Sequence, residues 1–153
     1  MPISANTLLT TSDYDYMLRD SRARALIVSV ALLPAFAPLL GKHRHLAHVI
    51  VSGAADEAAV PPHRSLASLM AAAPASFTSA ETTCDDACFW LYSSGSTGAP
   101  KGTVHLHSSL IQTAELYAKP ILGLREHDIV FSAAKLFFAY GLGNGLTFPL
   151  SVG

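Results

Sequence analysis

The stretch Tyr92-Ser93-Ser94-Gly95-Ser96-Thr97-Gly98-Ala99-Pro100-Lys101-Gly102 follows directly on the apolar run Cys88-Phe89-Trp90-Leu91-Tyr92 and constrains the fold more than any other part of the chain. Glycines, small hydroxyl residues and one lysine stand together, with no bulky side chain among them. A strand feeding such a loop presents backbone N–H groups, hydroxyls and an ammonium to an anion. The phosphates of a nucleotide need that combination.

The common phosphate loops do not fit. A Walker A loop places glycine before its lysine and then opens a helix. Here Pro100 precedes Lys101 and has no N–H to offer. The dinucleotide pattern G-x-G-x-x-G fails as well, because no Gly-x-Gly precedes Gly95 and Gly98. After Gly102 comes Thr103-Val104-His105-Leu106, β-branched at its start, which predicts another strand. The loop therefore reads as a glycine-rich hairpin between two strands.

The rest of the chain alternates helices and strands. Thr11-Ser12-Asp13 supplies N-cap chemistry for a helix through Arg19. Ala25-Leu26-Ile27-Val28-Ser29-Val30 reads as a buried parallel strand. Leu32 to Leu40 is a short helix stopped by Gly41, and Leu46 to Val51 is a second strand. Gly53 to Arg64 and Pro74 to Asp86 read as loops around a helix at Ser65 to Ala73. The second of these loops also suits a crossing between two subdomains. Further on, Ser108 to Ala118 has helical spacing and ends at Pro120. Asp128-Ile129-Val130-Phe131-Ser132 is strand-like, and Ala139 to Leu150 is the last helix. Within that helix, the spacing of Gly141 and Gly145 lets a neighbouring backbone approach closely. The expected class is α/β: layered, partly parallel sheets with flanking helices.

Composition narrows the function. Half of the 153 residues are hydrophobic and the net charge is −1. No basic run with interleaved aromatics suggests a nucleic-acid surface. Ala25 to Leu40 is broken by Pro34 and Pro38, too short for a membrane span and unlike a signal peptide, so a cytoplasmic location with no membrane partner is expected. Cys84 and Cys88 have no second pair to complete a zinc site and read as ordinary thiols. His105 and His107 alternate, so on one strand they would share a face and could meet a ligand together; the plainer alternative is a pair of solvent-facing residues. The cluster His43, His45 and His48 reads as a solvated loop.

Ser93-Ser94-Gly95-Ser96-Thr97-Gly98-Ala99-Pro100-Lys101-Gly102 resembles the phosphate-loop signature of the adenylate-forming superfamily. Thr113 to Tyr117, Leu122 to Glu126 and Phe131 to Asn144 are similar to its benzoate–CoA ligase branch, as are Asn6 to Thr10 and Asp13-Tyr14. The similarity is weakest between about Gly53 and Asp86, and Ser108 to Gln112 departs from the pattern. The resemblance implies an enzyme that uses ATP and Mg2+ to turn a benzoate-like aromatic carboxylate into an acyl-adenylate, then passes the acyl group to coenzyme A. By the same resemblance, Ser93, Ser94, Gly95, Ser96, Thr97, Gly98 and Lys101 hold the ATP phosphates. Phe138, Ala139, Tyr140 and Gly141 line the acyl pocket.

Family members are several hundred residues longer. The expectation is that residues 1–153 form part of the large N-terminal AMP-binding domain, without the C-terminal domain. On this view the chain contains no catalytic side chain and no metal ligand of its own, and the isolated piece lacks full activity. The alternative is a truncated remnant that only self-associates or binds nucleotide. Open sheet edges would favour a homo-oligomer.

Overall fold

The computed structural model describes residues 1–53, 63–94 and 100–153. They form two compact units, Thr7–Ser79 and Met1–Asn6 with Ala80–Gly153. The boundary falls within the Pro74 to Asp86 loop, where a crossing between subdomains was expected.

In the Thr7–Ser79 unit, helix α1 (Thr11–Ser21) is capped by Thr10, one residue earlier than the sequence suggests. The Thr10 hydroxyl accepts the Asp13 N–H at 3.3 Å. The Asp13 carboxylate accepts the Thr10 hydroxyl at 2.6 Å and the Thr10 N–H at 2.9 Å. These two bonds, the hydroxyl's first, hold the Asp13 carboxyl below its ordinary range. Thr10→Ala should cost about 1 kcal/mol in thermal denaturation at neutral pH. A depressed carboxylate contributes fully above its unfolded value and loses that contribution as pH falls through its folded value. The gap between wild type and Thr10→Ala should therefore narrow in acid.

Strands β2 (Ala25–Ser29), β3 (His48–Ser52) and β4 (Arg64–Ser65) form a parallel sheet in that order. Ala25 pairs with His48 and Ser29 with Ser52. Helix α2 (Leu33–Phe36) and a 3-10 turn at Ala37–Leu39 make the crossover between β2 and β3, and α3 (Leu66–Ala72) follows β4. Val28 and Val51, together with Tyr14, Met17, Leu18, Phe36 and Leu39, supply the buried side chains of this unit. Tyr14 and Phe36 stack with ring centroids 4.3 Å apart. Burial of the β2 strand is one-sided, contrary to the expectation from its continuous apolar run: Val28 is buried but Ile27 is 64% exposed. His43 also differs from a solvated loop residue. Its Nε2 lies 2.9 Å from Asp15 Oδ1, tying the segment before β3 to α1.

The other unit contains β1 (Ile3–Ser4), β5 (Ala87–Ser94) and β6 (Pro100–Leu106), in the order β1-β5-β6. β1 is parallel to β5, and β5 is antiparallel to β6. Two longer helical segments follow. Helix α4 (His107–Thr113) continues as a π-helical turn at Ala114–Ala118. Helix α5 (Ala139–Leu142) continues through a second π turn at Gly143–Thr147 into α6 (Phe148–Leu150). Phe148, Ala114 and Ala118 form a buried cluster with Leu124 against it.

Two expectations fail here. Residues 128–132 do not form a strand. Their apolar side chains suit a pleated surface, but a strand needs a hydrogen-bonded partner, and none pairs with them among the described residues. Ile129 is 99% and Phe131 89% exposed. His105 and His107 do not share a strand face either, because β6 ends at Leu106 and His107 opens α4. Among the described residues, no helix is long and apolar enough to cross a membrane.

Candidate functional site

The strands of the hairpin explain how the glycine loop is presented. Antiparallel pairing sets Ser93 opposite Lys101 and Ser94 opposite Pro100. Directly paired residues share a face of the sheet, so Ser93 and Lys101 lie side by side where the two strands meet the loop. Lys101 is exposed and makes no ion pair among the described residues, which leaves its ammonium uncommitted. Gly95, Ser96, Thr97 and Gly98 lie outside the described residues. Gly102 has a different role. A Cβ there would meet the Tyr92 ring at 3.1 Å and the Trp90 ring at 3.2 Å. Glycine after the lysine thus lets the Trp90–Tyr92 aromatic pair close over β6.

The start of the hairpin is anchored too. The Asp86 carboxylate accepts the Thr83 N–H at 2.7 Å and the Thr83 hydroxyl at 3.2 Å, and both bonds hold its carboxyl below the usual range. The Asp86 carbonyl accepts the His107 N–H at 3.1 Å, joining the start of β5 to the start of α4.

Ser93 and Lys101 share their face with the pairs Leu91–Thr103 and Phe89–His105. Phe89 and His105 stack almost parallel, with centroids 4.7 Å apart and an interplanar angle of 7°. Beside them lies a small, mostly apolar cleft of about 90 Å3, whose walls include Leu110, Thr113, Ala139, Thr147 and Phe148. At about 3.3 Å per residue, Lys101 lies roughly 13 Å along β6 from the stacked rings. Polar anion chemistry and an apolar cleft therefore occupy two ends of one hairpin face.

Of the residues expected to line an acyl pocket, Ala139 lines this cleft. Phe138 and Tyr140 stand exposed at the start of α5, at 50% and 71%. Gly141 is buried, and the Lys135 carbonyl lies against its open side. The sequence did not single out Phe89, Thr113 or Thr147. Alternation along β5 could have pointed to Phe89, but the two threonines face the cleft through helices whose π turns leave no pattern. The Thr113 hydroxyl donates to the Ser109 carbonyl at 2.9 Å and the Leu110 carbonyl at 3.0 Å, back-bonding just before the first π turn.

Cys84 and Cys88 are free thiols. Among the described residues, no group of three His, Cys, Asp or Glu side chains could hold a metal ion. The chemistry this face offers is a cation beside a hydroxyl at one end and an apolar wall at the other.

The whole chain is similar to known proteins. The family model for "AMP-binding enzyme" matches residues 1–153. A benzoate–CoA ligase of Thauera aromatica is 66% identical over all 153 residues, which are 28% of that protein's length. The crystal structure of a benzoate CoA ligase from Burkholderia xenovorans LB400 matches the whole chain at 53% identity with a TM-score of 0.81, over 28% of its own length. An anthranilate CoA ligase solved with anthranoyl-AMP matches 99% of the chain at 40% identity, with a TM-score of 0.92, over 29% of its length. The chain thus spans little more than a quarter of the length of these three relatives, and it belongs to the AMP-binding enzyme family.

Proposed function

We propose that residues 1–153 are the phosphate-loop part of the large N-terminal domain of an AMP-forming aromatic acid–CoA ligase acting on a benzoate-like acid. The observation that carries this reading is the hairpin face with Lys101, exposed and without an ion pair among the described residues, beside Ser93 at one end and a cleft containing Ala139 at the other. ATP, when bound, supplies the adenylyl group that converts a carboxylate into an acyl-adenylate, with pyrophosphate as the leaving group; the coenzyme A thiol then takes the acyl group as a thioester, and the mixed anhydride breaks to release AMP. Lys101 is a mobile point charge suited to a polyphosphate. The Ser93, Ser94, Ser96 and Thr97 hydroxyls are donors of a size that lets an anion approach the backbone. Together these groups hold negative charge and need no nucleophilic side chain. Mg2+, which binds through phosphate oxygens and water with only one or two protein carboxylates, would reach this site with the nucleotide.

Benzoate-dependent ATP–pyrophosphate exchange tests the reading in two polypeptides. One is this chain alone, where no exchange is expected. The other is the Thauera aromatica benzoate–CoA ligase with its matching segment replaced by this chain. Exchange in the chimera within tenfold of the parent ligase is expected. A folded chimera that binds coenzyme A but shows no benzoate-dependent exchange would sink the proposal.

A further inference from the structure

The glycines of the last helix have a neighbour, and it is the chain's own approach to that helix. A Cβ on Gly141 would overlap the Lys135 carbonyl oxygen, lie 2.7 Å from the Lys135 carbonyl carbon and reach the Ala134 oxygen at 2.8 Å. These are backbone atoms, which cannot swing aside as a flexible side chain can. One turn later, a Cβ on Gly145 would make ordinary contacts, 3.4 Å from Leu136 and 3.5 Å from Ser132. The segment Ser132–Leu136 therefore runs along a groove floored by glycine, with Gly141 at its tightest point. Directly after it, the Phe138 N–H donates to the Lys135 carbonyl at 3.1 Å, and the Phe138 carbonyl accepts the Leu142 N–H at 2.8 Å. The carbonyl that presses on Gly141 is thus the one that fixes Phe138 at the mouth of α5. Phe138 and Tyr140 are then set on the exposed side of the helix and Ala139 on the cleft side.

We infer that Gly141 is a positioning residue for the acid end of the site: it seats the Ala134–Lys135 backbone so that the Lys135–Phe138 turn sets where Phe138, Ala139 and Tyr140 stand. This inference rests on the ligase reading for its link to substrate, but not for its geometry. Gly141→Ala in the full chain, followed by hydrogen–deuterium exchange, tests the geometry without any substrate. The Phe138 amide should exchange at least tenfold faster, while the β5 and β6 amides keep their rates. Gly145→Ala, which adds only ordinary contacts, should leave the Phe138 amide within threefold of wild type. An unchanged Phe138 amide in Gly141→Ala, equal loosening of β5 and β6, or an equal effect from Gly145→Ala would each overturn the inference.

The link to substrate is read in the chimeric ligase. Gly141→Ala should raise KM for benzoate at least tenfold and leave KM for ATP within twofold; equal changes in both would mean a merely structural role. A chimera inactive before the substitution would count against the ligase reading and leave the amide-exchange result standing.

Discussion

Phe148→Ala should destabilise the unit that carries the hairpin by about 3 kcal/mol, at the lower end of the range for truncating a buried phenylalanine. Phe148 is 8% exposed and packs on Ala114 and Ala118, with Leu124 at the edge of the cluster. Tyr117 adds a tilted ring contact at 6.0 Å. The partners are small because the ring fills the space between the two helical segments: a Cβ on Gly143 would lie 2.9 Å from it. Removing the ring leaves a void that two alanines and a glycine cannot fill, so a cavity cost adds to the lost transfer energy. The cluster is small, which places the effect low in the range. Against a typical domain stability of about 5–15 kcal/mol, the loss is still large. Urea denaturation followed by amide protection in β5 and β6 checks it. Phe148→Leu, which keeps most of the volume, should cost less than half as much. Equal costs for the two variants would show that the ring is not the keystone of this cluster.

The hairpin was legible in the sequence because several local signals agreed. An apolar run, a glycine-rich break and a β-branched restart all call for two strands joined by a tight connection, and the observed register from Ala87–Leu106 to Ser94–Pro100 follows. The last helix was also legible, from Ala139 to Leu150. Its π turns were not, since an extra residue per turn leaves no trace in composition. The spacing of Gly141 and Gly145 called for a close backbone neighbour at both; Gly141 has one, at residues 134–135, whereas Gly145 meets only side chains at ordinary distance. Strands β1 and β4, two residues each, are too short for any alternation to show. Residues 128–132 mislead in the opposite direction. They have the side chains of a strand, yet strand formation depends on a partner that local sequence does not reveal. His105 and His107 fail for a similar reason. The helix begins one residue after Leu106, where the Ser109 hydroxyl accepts the Leu106 N–H at 3.2 Å, and that switch of period separates the two imidazoles.

Lys101→Ala, in the chimeric ligase, should lower benzoate-dependent pyrophosphate exchange by 100- to 1000-fold, the scale on which a single preorganised charge-stabilising donor acts. The size of the loss separates two descriptions of the site. Two unit charges about 4 Å apart interact by about 1 kcal/mol in bulk water and by about 4 kcal/mol at the effective dielectric of a protein surface. An ammonium that meets phosphate in open water would therefore be worth roughly a fivefold change. A loss of 100-fold, about 2.7 kcal/mol, exceeds the open-water value and falls within the range for a pair held at a protein surface. Lys101 is exposed in this chain, so a large effect would mean that the ammonium meets the phosphate while held against the protein surface. Lys101→Arg keeps the charge but replaces a compact ammonium by a rigid fork, and it should recover only part of the rate. A Lys101→Ala chimera within threefold of its parent would remove the lysine from the phosphate site and leave the hairpin with a purely structural role.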